Sequence, residues 1–299
     1  MSLPQLTTVK EEQITVNKVC TMGSNIEDLK KFRSDIDEIA RKEHENVVRI
    51  VCPFDIEKMT YGTEFCELGT LKQFLLDNAS DITEIDIVQW AIDIIEGIRH
   101  LHSICMRHIF IGTDQVYLFK SQKDNLIRYK DNPIRCKVFP LFRINGSIAS
   151  VEYNIFELAP EQIQNTTTCT ENSLVYSAGM IFCMMLTCTV PLAHLRSSTS
   201  GLIPLFLRLI NQSTINDLIA TIEVPKFDSW IKMITEMFLS NPSKRPTLYG
   251  IHRELHVLLE YYSLKHKVSM LEFQHEIMKS LVESARATKE SLRAHGFIE

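Results

Sequence analysis

The stretch that decides the fold is Ile94 to Phe119, "IIEGIRHLHSICMRHIFIGTDQVYLF". Its first part closes a long apolar stripe, Ile85, Val88, Ile92, Ile95, Ile98 and Leu101, at the spacing of a helix buried on one face. "HLHS" breaks that pattern, and the apolar run "VYLF" at 116–119 has the β-branched and aromatic make-up of a strand. A loop held between a buried helix and a strand is a positioned loop, and positioned loops often carry function. Yet this one holds almost nothing that could act as acid, base or nucleophile.

Upstream, "QITVNK" (13–18) reads as a short strand, and "SNIE" (24–27) as a capping box that opens a helix with Leu29, Phe32, Ile36 and Ile39 on one face. "NVVRIVCPF" (46–54) and "KMTYGTEFC" (58–66) read as two more strands, and after Gly69 the pattern becomes helical. Downstream come a polar, hairpin-like stretch at 119–135, an irregular segment at 140–161, an uncharged apolar helix at 174–190 and further helices to about 260. The order predicts an α+β chain, with a small strand-rich lobe followed by a larger helical one.

Composition narrows the classes. A chain of 299 residues with 45% apolar and 23% charged residues is of ordinary globular make-up, and a net charge of -5 gives no reason to expect nucleic acid. The eight cysteines form no C-x-x-C pair or metal-ligand grouping, so they read as small core hydrophobes. The polar start "MSLPQLTTVKEEQ" has no signal-peptide core, which leads us to expect a cytoplasmic protein in which the four N-x-S/T triplets carry no weight. "LVYSAGMIFCMMLTCTVPL" (174–192) is long and uncharged, but it contains Ser, Gly, Thr and Pro and lacks a flanking basic cluster. It reads as a central buried helix, and no membrane span is expected.

The motifs, taken in order, resemble the eukaryotic protein kinase fold. "ITVN" stands where kinases have V-A-I-K, and "KFRSDIDEIARKEHENVVRI" resembles helix C and the strand after it. "TEFCELGTLKQFL" resembles the hinge, in a form similar to the tyrosine-kinase-like group. The opening stretch aligns on the long helix and catalytic loop, "CKVFPLF" on the metal-binding motif, "LAPEQI" on A-P-E, "LVYSAGMIFCMML" on the D-V-W-S-x-G helix and "NPSKRPT" on the R-P-T turn. The resemblance covers about residues 12–258 and implies a bilobal fold with a truncated N-terminal β-lobe, a helical C-lobe and a C-terminal amphipathic helix. It divides the chain into an N-terminal segment (1–11), a kinase-like domain (12–260; small lobe about 12–66, large lobe about 67–260) and a helical tail (261–299).

Kinase chemistry needs a glycine-rich phosphate cover, a lysine with its helix C glutamate, two metal holders and an aspartate for the substrate hydroxyl. Carried over position by position, the resemblance puts Asn17 at the lysine, with Lys18 beside it, and Asp35 at the glutamate. His108 keeps the histidine of H-R-D, but Phe110 replaces the aspartate and Gln115 the metal-binding asparagine. Pro140 opens the segment that should be D-F-G, and Leu174 replaces the anchoring aspartate of the apolar helix. The first glycine of the chain is Gly23, too late for a phosphate cover. Glu161 of A-P-E and Arg245 of R-P-T are retained and are expected to form a structural pair. The resemblance thus implies a pseudokinase that is not an enzyme and has no catalytic residue, metal or cofactor, with ATP and Mg binding in doubt. Lys18, Asp35, Glu64 and Cys66 remain as candidates for nucleotide contact.

The expected role is that of an allosteric regulator or scaffold for a protein partner in signalling, an active kinase being one such partner. The alternatives are an atypical nucleotide-binding transferase using Lys18, Asp35 and Asp114, and an interaction module working through its C-terminal helix. Other surfaces offer less. The segment Arg143–Leu158 carries Ser147, Ser150 and Tyr153, and the insert at 120–137 is basic, as solvated hairpins often are. His252 and His256 lack the glutamate of H-E-x-x-H. In the tail, Leu264, Val268, Leu271, Met278, Val282, Ala285 and Leu292 follow a four-three spacing that His275 and Lys289 interrupt. The interruptions argue for packing on the large lobe, with partner binding as the alternative.

Overall fold

The computed structural model describes residues 5–9, 12–19, 25–104, 111–120, 134–139, 143–144, 147–148, 157–164, 169–192, 212–222 and 228–295. They fall into two compact units, Met1–Leu255 and His256–Glu299, so the first unit ends slightly before the limit of 260 expected from sequence.

The first unit opens with a four-stranded antiparallel sheet of order β1-β2-β4-β3, formed by β1 (Gln5–Val9), β2 (Glu12–Lys18), β3 (Ile50–Asp55) and β4 (Thr60–Glu64). β1 is a correction to the expected N-terminal segment: Val9 pairs with Glu12, so the sheet begins before residue 12. "QLTTV" has too little alternation to announce a strand, and its neighbour β2 supplies the pairing. Between β2 and β3 lies α1 (Ile26–Arg41), which buries Phe32, Ile36 and Ile39. Its capping box is Asn25 with Asp28, one residue beyond the expected one; Asp28 N–H donates to Asn25 Oδ1 at 2.8 Å, and Asp28 takes the Asn25 N–H in return.

The chain then passes through a turn at Gly69, whose φ of 73° favours glycine, into α2 (Leu71–Asp77) and the long α3 (Glu84–Ile104). Of the expected stripe, Val88, Ile92, Ile95, Ile98 and Leu101 are buried, and Ile85, in the first turn, is only half-buried. At Gly97 a Cβ would lie 2.4 Å from the Asn46 carbonyl, so only glycine lets α3 run this close to the segment before β3. That segment is stitched to the hairpin of β5 (Val116–Lys120) and β6 (Ile134–Val138), since Val48 N–H donates to Val138 O and Val138 N–H to Asn46 O. On the other side Lys137 pairs with Glu64 at 2.6 Å. Strand-rich and helical parts of the first unit are thereby joined through the loop region.

Two short strands, β7 (Arg143–Ile144) and β8 (Ser147–Ile148), pair with each other. The helical part follows with α4 (Pro160–Gln164), α5 (Glu171–Thr187), α6 (Gln212–Ala220) and α7 (Asp228–Met237). α5 is its centre, buried from Ser173 to Met185, and no helix among the described residues is long and apolar enough to cross a membrane. The last helix, α8 (Leu248–Ala294), runs from the first unit into the second. Within the second unit the four-three stripe is uncovered, with Leu264, Leu271 and Met278 at 60–64% exposure.

Candidate functional site

The loop quoted at the outset is described from Ile111 onward; His108 and Phe110 lie outside the described residues, as does Pro140. Ile111, Thr113 and Gln115 are buried. Gln115 N–H donates to Gly112 O, and Gln115 O receives the N–H of Phe139 at 2.7 Å, which ties the loop to the end of β6. Asp114 points outward and pairs with Lys72 of α2 at 2.8 Å. Of the three residues of the transferase alternative, Asp114 is thus held by a lysine of α2.

On the sheet, Asn17 stands opposite Tyr61, and its amide donates to the buried Thr63 hydroxyl at 3.1 Å. The position that the resemblance gives to the lysine is thus half-buried and spends its amide donor within the sheet. Lys18 is in β2 opposite Thr60, and its side chain lies outside the described residues. Asp35 is half-buried on α1; burial raises its carboxyl above the ordinary range, against the pull of Lys31. Glu64 accepts from the Arg49 N–H as well as from Lys137, so its carboxylate is occupied. Burial pushes the Cys66 thiol up to about 12, leaving it protonated and inert at neutral pH.

Several groups that hold this region were not read from sequence. Glu157 is buried, and its carboxylate takes both the Thr113 N–H and the Thr113 hydroxyl at 2.8 Å, while its backbone carbonyl accepts from Ser177. A Cβ on Gly112 would sit 2.1 Å from Glu157 Oε2, so the glycine makes room for the carboxylate. Asp93, with no exposure inside the stripe of α3, receives the Arg135 guanidinium at two points, the Cys136 N–H and the Gln89 amide. An aromatic series from Phe32 through Tyr61 and Phe139 to Tyr117 joins α1 to β5, with successive ring centroids 5.7–6.4 Å apart. The signal for Asp93 was present, since a lone carboxylate on a buried apolar face requires a partner. Glu157 had none beyond the glycine it needs.

Glu161 and Arg245 meet as expected. Arg245 Nη1 and Nη2 donate to the two carboxylate oxygens at 2.6 and 3.0 Å, Nη1 also reaches Asn172 O, and the guanidinium lies 5.1 Å from the Tyr176 ring centroid. Leu174, where kinases place an aspartate, is buried among apolar neighbours of α5.

Residues 4–255 match the family model for protein tyrosine and serine/threonine kinases. The chain belongs to the protein kinase family. Its kinase domain is similar to human "Myosin light chain kinase family member 4", 22% identical over 196 residues, which are 65% of this chain and 45% of that protein. It is also similar to rat "Myosin light chain kinase 3", 24% identical over 163 residues (54% of this chain, 20% of that one). A third relative is the Dictyostelium discoideum "RGS domain-containing serine/threonine-protein kinase A", 24% identical over 155 residues (52% and 13%). The chain spans less than half the length of each of these relatives.

These matches correct one expectation. The substitutions at Asn17, Phe110, Gln115 and Pro140 led to the reading that the chain is not an enzyme, whereas the kinase family model and relatives that carry kinase names point to a protein kinase. That reading rested on single side chains. The kinase domain is carried by its whole order of elements, and Phe110 and Pro140 lie outside the described part of it.

Proposed function

We propose that this kinase domain works on a protein partner in cytoplasmic signalling, as an allosteric regulator or scaffold, with an active kinase as the partner class. The observation that carries the proposal is the Glu161–Arg245 pair: the Arg245 side chain has no exposure and is fully engaged, which fixes the end of the segment before α5 to the helical body. Surfaces held in this way present a constant shape to a partner. The loop of residues 111–115 supports the same reading, because its buried contacts are anchors to Glu157 and Phe139.

The test is a reconstituted assay. The chain is added to an active kinase of the family, and that kinase's kcat/KM for a peptide is measured, beside any peptide phosphorylation by the chain alone. A partner rate that changes with this chain, and still changes with Lys18→Ala, is the expected result. An unchanged partner rate, together with peptide phosphorylation by the chain that Lys18→Ala abolishes, would overturn the proposal and make the chain's own phosphoryl transfer its output.

A further inference from the structure

The second unit carries an exposed apolar seam on one continuous helix. In heptad terms Leu264, Leu271, Met278 and Ala285 occupy d, and Val268, His275, Val282 and Lys289 occupy a. Leu264, Val268, Leu271, Met278 and Val282 are 46–64% exposed. Apolar surface on this scale, repeated along a helix, marks an interaction face. We propose that residues 264–289 bind a second copy of this chain as a parallel, in-register, two-stranded coiled coil.

Three features select that occupant. β-Branched valine at a with leucine at d favours two parallel strands, because those shapes fit the two-stranded knob-and-hole geometry. Lys267 at g and Glu272 at e stand at the spacing where g of one strand meets e of the other in a parallel pair, so a symmetric dimer gains two opposite-charge contacts. His275 and Lys289 at a then take the role of polar residues that fix register at a cost in stability: only in-register pairing sets each against its own copy and keeps the valines together. The interruptions that argued from sequence against a coil are, in this pairing, register marks.

A second exposed set, Met270, Phe273 and Ile277, lies round the far side of the helix and serves as an internal control. The experiment measures the mass of the full-length chain by sedimentation and light scattering over a micromolar dilution series. Wild type is expected to show the mass of two chains, Leu271→Asp/Met278→Asp the mass of one, and Phe273→Asp/Ile277→Asp again two. All four side chains are exposed, so folding is not at stake, and circular dichroism confirms it. Leu264→Cys should add a disulfide-linked dimer, absent from wild type under the same mild oxidation, because only parallel in-register strands bring the two Cα atoms within about 7 Å. A single-chain mass for wild type throughout the series, or pairing that survives the Leu271/Met278 change and is lost in the Phe273/Ile277 change, would overturn the seam. Failure of the Leu264→Cys link would overturn the parallel register.

Discussion

Asp93→Leu removes the acceptor that neutralises Arg135 inside the first unit. The carboxylate has no exposure, Arg135 is 11% exposed at its side chain, and the same two oxygens also hold the Cys136 N–H at 2.9 Å and the Gln89 amide at 3.1 Å. Breaking a buried pair by removing one member costs about 3–5 kcal/mol, because the surviving charge stays out of water. The stranded Cys136 N–H is included in that cost rather than added to it, since the contacts share one carboxylate and are not independent. With about 4 kcal/mol lost, and about 2–4 °C of melting temperature per kcal/mol for a domain of 150–250 residues, the midpoint should fall by about 8–16 °C. Thermal unfolding of purified variants measures it. The decisive comparison is Asp93→Leu/Arg135→Met, which removes both charges and keeps volume; it should recover at least half of the loss, because apolar replacement of a buried pair is often neutral or stabilising. A double variant as unstable as Asp93→Leu would refute the stranded charge as the cause and leave packing at α3 in its place.

Three further outcomes follow from the same reasoning. Arg245→Ala should cost about 3–5 kcal/mol in urea unfolding, and a double-mutant cycle with Glu161→Ala should return a coupling well above the usual surface pair, since the arginine is fully buried. Gly112→Ala should cost about 1–3 kcal/mol by overpacking against Glu157; in a Glu157→Ala background most of that cost should disappear, leaving the lesser clash with the buried Gln115 Oε1 at 2.8 Å, and a loss that persists in full there would place the strain elsewhere. His44 is held below its ordinary value of 6.5, first by burial and then by the neighbouring His100 ring, and its Nδ1 accepts the Asn46 N–H, which requires the neutral form. Between the lowered folded value and 6.5 the unfolded chain binds more protons, so this stability is present above 6.5 and is lost as pH falls through the folded value. Stability measured from pH 7 to 5 should therefore slope less in His44→Gln than in wild type.

Much of the fold could be read locally. The helix of the opening stretch, the strands either side of Met59 and the apolar α5 each announce themselves within a few turns of their own sequence, because burial on one face imposes a period. The Glu161–Arg245 pair was also legible, since its two motifs are recognisable apart. The remaining anchors are long-range. Arg135 is 42 residues from Asp93, and Glu157 is 44 from Thr113, so no local period could pair them. β1 stayed hidden because an edge strand takes its conformation from its neighbour. The reading that the chain is not an enzyme failed for a different reason: it was drawn from single positions such as Asn17 and Gln115, whereas the match to protein kinases runs through the whole order of elements over residues 4–255.

The anchors around residues 111–115 are not equal, and the inequality bears on how any activity of this domain should be measured. Lys72 and Asp114 meet where both side chains keep contact with water, so their pair contributes on the order of 0–1 kcal/mol. Glu157 is buried and satisfies two donors of Thr113, one of them a backbone N–H that has no water to turn to. Leaving such donors unpaired costs about 1–3 kcal/mol. A substitution at Glu157 therefore acts on the folded fraction first, whereas a substitution at Lys72 acts on the loop alone. Partner regulation or phosphoryl transfer that changes with Lys72→Met at unchanged stability would be a property of the loop, while the same change with Glu157→Ala would first have to be corrected for the chain that has unfolded.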